Sequence, residues 1–280
     1  YHPSLPYRTM QMVEDLEKYK ATILVWSVMG GGSISLPYLE NEAFGELDPR
    51  ARFYGFMNDS EFVAECKKRG IKAMGIVFEV QGWEFPVEVS PDGKHMKQFN
   101  VLRSGETGNY YGLNEFANGK YDGLFRTSLK DYYPDGIVNS DGEVVTDLQE
   151  EVAARTWRGE PVHAGWVEVT GHSRTCYQTC RNNPVWRDYL KKIMAIQIDA
   201  GVEGIQLDEA ELPITSMGAG GCFCKDCRKQ FRTYLQGRKA AGTLDPKLYE
   251  GIDLDTFDYK QYVLDGGYAH PNDSPLMRDY

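Results

Sequence analysis

Three thiols fall within the six residues Cys222-Phe223-Cys224-Lys225-Asp226-Cys227, downstream of an apolar run, Val202 to Leu207, that ends in Asp208-Glu209-Ala210-Glu211. Thiols this close are poorly placed for an ordinary disulfide framework, but a turn between them lets all three reach one tetrahedral ion. A fourth ligand must come from elsewhere in the chain, and Cys176 and Cys180 are the suppliers at hand. A set of thiolates alone closes a zinc site, whereas a catalytic zinc keeps an open position and usually has His or carboxylate ligands. No His-x-His or His-Glu-x-x-His occurs, which points away from metal-dependent hydrolysis and toward structural zinc. The competing arrangement is a disulfide, Cys176 with Cys180 or Cys222 with Cys227, in an oxidising compartment. Cys66, on a predicted helix, reads as a small buried apolar residue.

The acidic stretch offers different chemistry. Glycosidic bonds are cleaved between two carboxyl groups, about 5 Å apart for retention and further for inversion, one of which must hold a proton near neutral pH. Asp208, Glu209 and Glu211 supply carboxylates at a strand end, where mutual repulsion raises the pKa of at least one. If the strand continues, alternation points Asp208 and Ala210 one way and Glu209 the other, so Asp208 is the first candidate for catalysis and Glu209 the second. Glu211 then joins a candidate sugar-contacting set with His2, Trp26, Glu79 and Trp83. Glu79, Gln81, Trp83 and Glu84 mix hydrogen-bonding and stacking groups suited to a sugar ring. Each has a plainer reading: Asp208 as a loop cap, Trp83 packing a loop, Glu79 paired with an Arg, and Trp26 in the core. His2, like His163, His172 and Trp166, has a structural reading of the same kind.

The elements that must hold these groups alternate. Thr9 to Lys20 has apolar residues at helical spacing and precedes a β-rich run, Ala21 to Met29, which Gly30-Gly31-Gly32 breaks. A second helix, capped by Asp59 or Ser60, stops at Gly70, and Ile71 to Val80 is the next strand. From Gln81 to about Gly171 this grammar lapses into turn sequences, Pro91-Asp92-Gly93, Pro134-Asp135-Gly136 and Ser140-Asp141-Gly142, which read as inserted hairpins and loops forming much of a cleft wall. It resumes with a helix from Val185 to Ala200, a strand ending at Leu207 and a helix from about Lys225 to Arg238. A Tyr-rich stretch, Ala240 to Gly267, then reads as a helical connector. The expected fold is α/β, a (β/α)8 TIM-like barrel with an insertion at about 81–171, the alternative being a doubly wound sheet. No Gly-x-Gly-x-x-Gly follows a strand and no Walker motif occurs, so nucleotide binding is disfavoured.

Composition limits the partners. The chain has 280 residues and a formal net charge of -10, which argues against a nucleic-acid backbone as ligand. No apolar run approaches the roughly 20 residues of a membrane-spanning helix. The chain begins at Tyr1 without an initiator Met, and Ser274 to Tyr280 reads as the first turn of a further helix, so a piece of a longer polypeptide is expected. The compartment is not legible.

The order Cys180-Arg181-Asn182-Asn183-Pro184-Val185-Trp186, then Gly204-Ile205-Gln206-Leu207-Asp208-Glu209, then Cys222 to Leu235 resembles the catalytic barrel of glycoside hydrolase family 42. It resembles still more closely a related group of hypothetical glycosyl hydrolases. The resemblance spans about 60 residues, Cys176 to Leu235, and is looser upstream, around Asn139-Ser140-Asp141-Gly142. It implies structural zinc on Cys180, Cys222, Cys224 and Cys227, a carbohydrate substrate, a second catalytic carboxylate beyond Tyr280, and self-association. The family places an Asn-Glu pair after its fourth strand where this chain has Asp208-Glu209-Ala210-Glu211, so β-galactosidase activity is not inferred. Two other classes remain open: a barrel that binds carbohydrate without cleaving it, and a zinc-stabilised interaction module, which would not need the preceding strand-helix array.

Overall fold

A computed structural model describes residues 9–26, 57, 59–78, 81–92, 96–98, 109–120, 129–163, 176–208 and 214–280. Helix α1 (Met10–Lys18) begins at Thr9, whose side chain accepts the Met12 N–H, and leads into β1 (Ile23–Trp26). Helix α2 (Asp59–Lys68) ends at Gly70, which has φ +72°, a backbone region that glycine adopts without steric cost, and the chain turns into β2 (Lys72–Phe78). Strand β3 (Gln81–Val89) opens an antiparallel region with β4 (Met96–Gln98), β5 (Asn109–Gly112) and β6 (Cys176–Gln178). Short helices α3 (Leu113–Ala117), α4 (Leu129–Tyr132) and α5 (Leu148–Val152) lie between them in sequence. Helix α6 (Pro184–Asp199), β7 (Gly204–Asp208), α7 (Ile214–Gly218), α8 (Lys225–Ala240) and α9 (Tyr259–Asp265) complete the order. Among the described residues no helix is long and apolar enough to cross a membrane.

The fold is mixed α/β with a small parallel sheet, ordered β1-β2-β7. Its register sets Val25 beside Met74, Ile76 beside Gln206 and Phe78 beside Asp208. Alternation divides the sheet into two faces. On one, Ala73, Gly75 and Val77 are buried. Helix α6 lies on this side and buries Trp186, Tyr189, Leu190 and Ile193, the spacing of a single helical stripe. Its Gln197 reaches the sheet and donates to the Ile76 carbonyl at 3.0 Å. Gly75 permits that approach, because a Cβ there would lie 1.9 Å from Gln197 Oε1. On the other face Ile23 and Val25 are exposed, and Gln206 and Asp208 stand in the same row.

The antiparallel region is bound tightly to this frame. Strand β3 pairs with β6 at Gln81–Trp83 and with β5 and β4 further along. Val87, Leu113, Leu148, Val152 and Tyr177 share the main core with Val77 and α6. The expected insertion is therefore part of the principal core, with short helices that the turn signals hid. A second core forms from Phe223, Phe231, Leu235, Tyr249, Leu254, Phe257, Tyr259, Val263 and Leu276. The predicted helical connector, Ala240 to Gly267, is helical only over α9. Asp245 Oδ1 accepts the N–H groups of Lys247 and Leu248, and Asp253 Oδ1 that of Asp255. These local bonds compete with helix formation, so the stretch folds as turns against α8. The helix expected from Ser274 is likewise replaced by turns, with Ser274 Oγ accepting the Leu276 N–H.

Candidate metal centre and neighbouring cleft

Three segments converge on one point. Cys180 follows β6, and its N–H donates to the Val152 carbonyl at 2.8 Å. Cys222 is delivered by the turn at Gly220-Gly221, whose φ values of +86° and +101° suit glycine. Cys224 caps α8 and Cys227 lies in that helix's first turn, so the positive end of the helix dipole favours thiolates at both.

The sulfurs of Cys180, Cys222, Cys224 and Cys227 all lie within 4.8 Å of one another. The Cys180 and Cys227 sulfurs are 3.4 Å apart, and those of Cys180 and Cys224 are 3.5 Å apart. A tetrahedral zinc with Zn–S bonds of about 2.3 Å sets sulfurs about 3.8 Å apart, whereas a disulfide sets them at about 2.0 Å. The four thiols are free, so a Cys222–Cys227 bridge is not formed. This arrangement could hold a metal ion. Cys180 is the fourth thiol of the group; Cys176 enters β6 opposite Trp83 through its backbone.

Backbone and amide donors surround the sulfurs. The Arg155 N–H donates to Cys222 Sγ at 3.4 Å, Asn182 Nδ2 to Cys227 Sγ at 3.4 Å, and the Cys227 N–H to Cys224 Sγ at 3.5 Å. Hydrogen bonds with the neighbouring thiols, Cys180 first, hold Cys222 well below the ordinary thiol range, and the Cys180 bond lowers Cys224 against the opposing effect of Cys222. The same bonds, Cys222 first, hold the Cys180 proton in place, and burial adds to that effect. A divalent cation would replace those shared protons and offset half of the charge of four thiolates.

Next to the cluster runs a polar network that fixes its supports. Buried Asp226 accepts from Ser140 Oγ at 3.1 Å and from Asn183 Nδ2 at 2.9 Å. Asn183 Oδ1 accepts the Trp186 N–H at 2.9 Å and so caps α6 just before Pro184. Glu151 accepts from Asn183 Nδ2 at 2.9 Å, and Lys225 Nζ lies 3.1 Å from both Glu151 and Asp141. Burial pushes the Asp226 carboxyl above the usual carboxylate range, with the Ser140 hydroxyl opposing that shift.

A cleft of about 850 Å³ opens beside the thiols and includes Cys180, Cys222 and Cys227 in its wall. Its remaining wall comes from the turn after β6, from α7, from α8 and from the C-terminal turns; the stretch 81–171 contributes Ala154. Apart from Cys222 and Cys227, no motif marks this cleft in the sequence, because its residues are scattered over segments 154–280.

Asp208 is half-buried at the C-terminal end of β7, in register with Phe78. It does not line the cleft. Its intended neighbours Glu209 and Glu211, together with His2 and Glu79, lie outside the described residues. Trp26 closes β1 and Trp83 lies in β3 opposite Cys176, and the positions of these two backbones are all that is described of them.

No protein-family model matches the chain, and no curated protein matches it. Among solved structures it is similar to a GH31 alpha-xylosidase from a soil metagenome, complexed with xylose, at 13% identity and a TM-score of 0.34. The match covers 86% of this chain, which spans 27% of that one.

Proposed function

We propose that this chain is part of a glycoside hydrolase built on a (β/α) barrel, with Asp208 as a catalytic carboxylate and with structural zinc on Cys180, Cys222, Cys224 and Cys227. The observation that carries this reading is the position of Asp208. It ends a parallel strand, where barrel enzymes collect their catalytic groups, on the sheet face that bears exposed Ile23 and Val25 rather than buried Ala73 and Val77. In a closed barrel that face would be the interior. The four-thiol group supports the reading from a second direction, since it matches the ligand set that the family 42 resemblance implies.

In this reading Asp208 stands on one side of the scissile bond and works with a second carboxylate supplied from elsewhere in the barrel. One carboxyl protonates the departing oxygen while the other attacks or activates water. Glu209 is the alternative for the Asp208 role, and Glu79, Trp83, Trp26, His2 and Glu211 are proposed sugar contacts. Zinc, when bound, supplies cross-linking and offsets part of the thiolate charge. The residues around it position Cys224 at the head of α8 and Cys180 just before α6, and so tie the start of one helix to the start of the other.

The test is reducing-sugar release from a panel of glycans and aryl glycosides by the full-length polypeptide. Asp208→Asn and Glu209→Gln variants with unchanged metal content are run alongside. Cleavage by the parent and a loss of about 10²-fold or more in turnover for Asp208→Asn is the expected result. Full activity in Asp208→Asn removes it from the mechanism. A parent that retains a glycan without cleaving it moves the assignment to a carbohydrate-binding barrel.

A further inference from the structure

The cleft beside the thiol cluster has a composition of its own. Phe231, Tyr234 and Tyr280 give it aromatic surface, and Met217 adds an exposed apolar side chain. Asn182 and Gln230 place amides in the same wall, with Asn272 and Asp279 beyond them. Asn182 commits its Nδ2 to Cys227 Sγ, and Gln230 commits its Nε2 to the Asn182 carbonyl at 2.8 Å. Both amides are thereby fixed in orientation, with their side-chain oxygens left as acceptors, while Asn272 offers a donor and an acceptor together.

Charge narrows the ligand further. Asp279 lies 3.7 Å from Arg238 and accepts from the Tyr249 hydroxyl at 2.8 Å, so it presents no unbalanced charge to the cleft, while the thiol cluster opposes an anion. A neutral molecule carrying many hydroxyls satisfies what is left: hydroxyls both donate and accept, and a sugar ring can rest against the part of Tyr234, 47% exposed, that Phe231 and the Arg238 guanidinium leave uncovered. The volume of about 850 Å³ falls within the usual range of ligand pockets, about 300–1,000 Å³.

We infer that this cleft is a carbohydrate-binding site for a neutral oligosaccharide, separate from Asp208 and built against the metal knuckle. It shares with the proposed hydrolase only the class of ligand and stands without it. The metal's part is to hold one wall in place, because Cys180, Cys222 and Cys227 belong to both the cluster and the cleft.

Calorimetric titration of the metal-loaded, full-length protein tests this. The probes are neutral gluco-, galacto-, manno- and xylo-oligosaccharides, with oligogalacturonate as the anionic control. Titrations are run in the parent and in an Asp208→Asn background where turnover does not consume the probe. Binding of at least one neutral series is expected, weakened about tenfold or more by Tyr234→Ala and by Gln230→Ala, and unchanged by Asp208→Asn. Both cleft positions are exposed, and unchanged metal content verifies that each variant is folded. The inference is overturned if no neutral oligosaccharide binds, if only the anionic control binds, or if Tyr234→Ala and Gln230→Ala leave both the affinity and the number of bound sugars unchanged. Binding that disappears with Asp208→Asn alone also overturns it and assigns the sugar to the strand end. Binding at the cleft by a protein that cleaves nothing leaves this site standing and removes the hydrolase.

Discussion

Individual side chains divide into those that would hold the metal and those that tune it. A cysteine removed from a four-thiolate set takes away a charge and a bond at once, so Cys180→Ala is expected to abolish stoichiometric zinc, measured by metal analysis after gel filtration. Asn182 acts less directly, through one amide hydrogen bond to Cys227 Sγ. Loss of such a supporting bond costs a site about 10- to 100-fold in metal affinity, so Asn182→Ala should retain zinc but surrender it to a weaker chelator than the parent does. An affinity equal to the parent's would mean that the contact plays no part in holding the cluster. Gly221 bears on the same point from the backbone. Its φ is +101°, and a Cβ there would lie 3.0 Å from the Tyr280 ring. Gly221→Ala should therefore displace Cys222 or Tyr280 and lower both metal affinity and melting temperature.

At the level of elements, Asn183 joins what the chain separates. One side chain caps α6, donates to Glu151 in α5, and donates to Asp226 in the first turn of α8. Asn183→Ala loses a cap worth about 0.5–2 kcal/mol. It also leaves a buried acceptor unsatisfied at about 1–3 kcal/mol, so urea unfolding should show a loss of roughly 3 kcal/mol in total. Asn183→Asp keeps the cap but sets a third carboxylate against Glu151 and Asp226, and should be at least as destabilising at neutral pH. A loss within 1 kcal/mol in both variants would mean that neighbours or water take over its bonds. The stop at Gly70 and the approximate extents of α1, α2, α6 and α8 were legible in sequence, because caps and helical spacing are local signals. That β1, β2 and β7 pair in parallel followed from helix-strand alternation. The pairing of β3 with β6 was not legible, since the partners are far apart in sequence and neither strand carries a pattern that names the other. The turns of 240–258 were missed because their side-chain-to-backbone bonds from Asp245 and Asp253 resemble helix caps in composition. The Cys-x-Cys-x-x-Cys spacing announced a thiol group able to hold a metal; spacing left Cys176 and Cys180 both open as the fourth member, and the family 42 resemblance implied Cys180, which is the thiol found there.

Across the whole molecule the thiol cluster is the joint between two cores. One lies between the sheet, α6 and the antiparallel region, and reaches the cluster through Val152 and Cys180. The other lies around α8 and reaches it through Phe223, which stacks on Tyr259 at 5.6 Å and on Tyr280 at 4.9 Å between ring centres. The Tyr280 hydroxyl donates to the Cys222 carbonyl, and its ring meets Phe231 edge-on at 5.0 Å. Burial, with the neighbouring thiols adding to it, raises the Tyr280 phenol well above its ordinary pKa. The second core thus depends on the path of the knuckle, while β2 and β7 are paired by backbone bonds that owe nothing to it. Removing the metal should act unequally on the two. In hydrogen exchange, a chelator is expected to deprotect amides of 222–240 and 259–280 while those of Lys72–Phe78 and Gly204–Asp208 keep their protection. Restored zinc should reverse the change, since binding free energy at such a site is folding free energy. Equal loss of protection in both regions would show instead that the two cores unfold as one unit, and would make the metal a condition for the whole fold rather than for the cleft-bearing half.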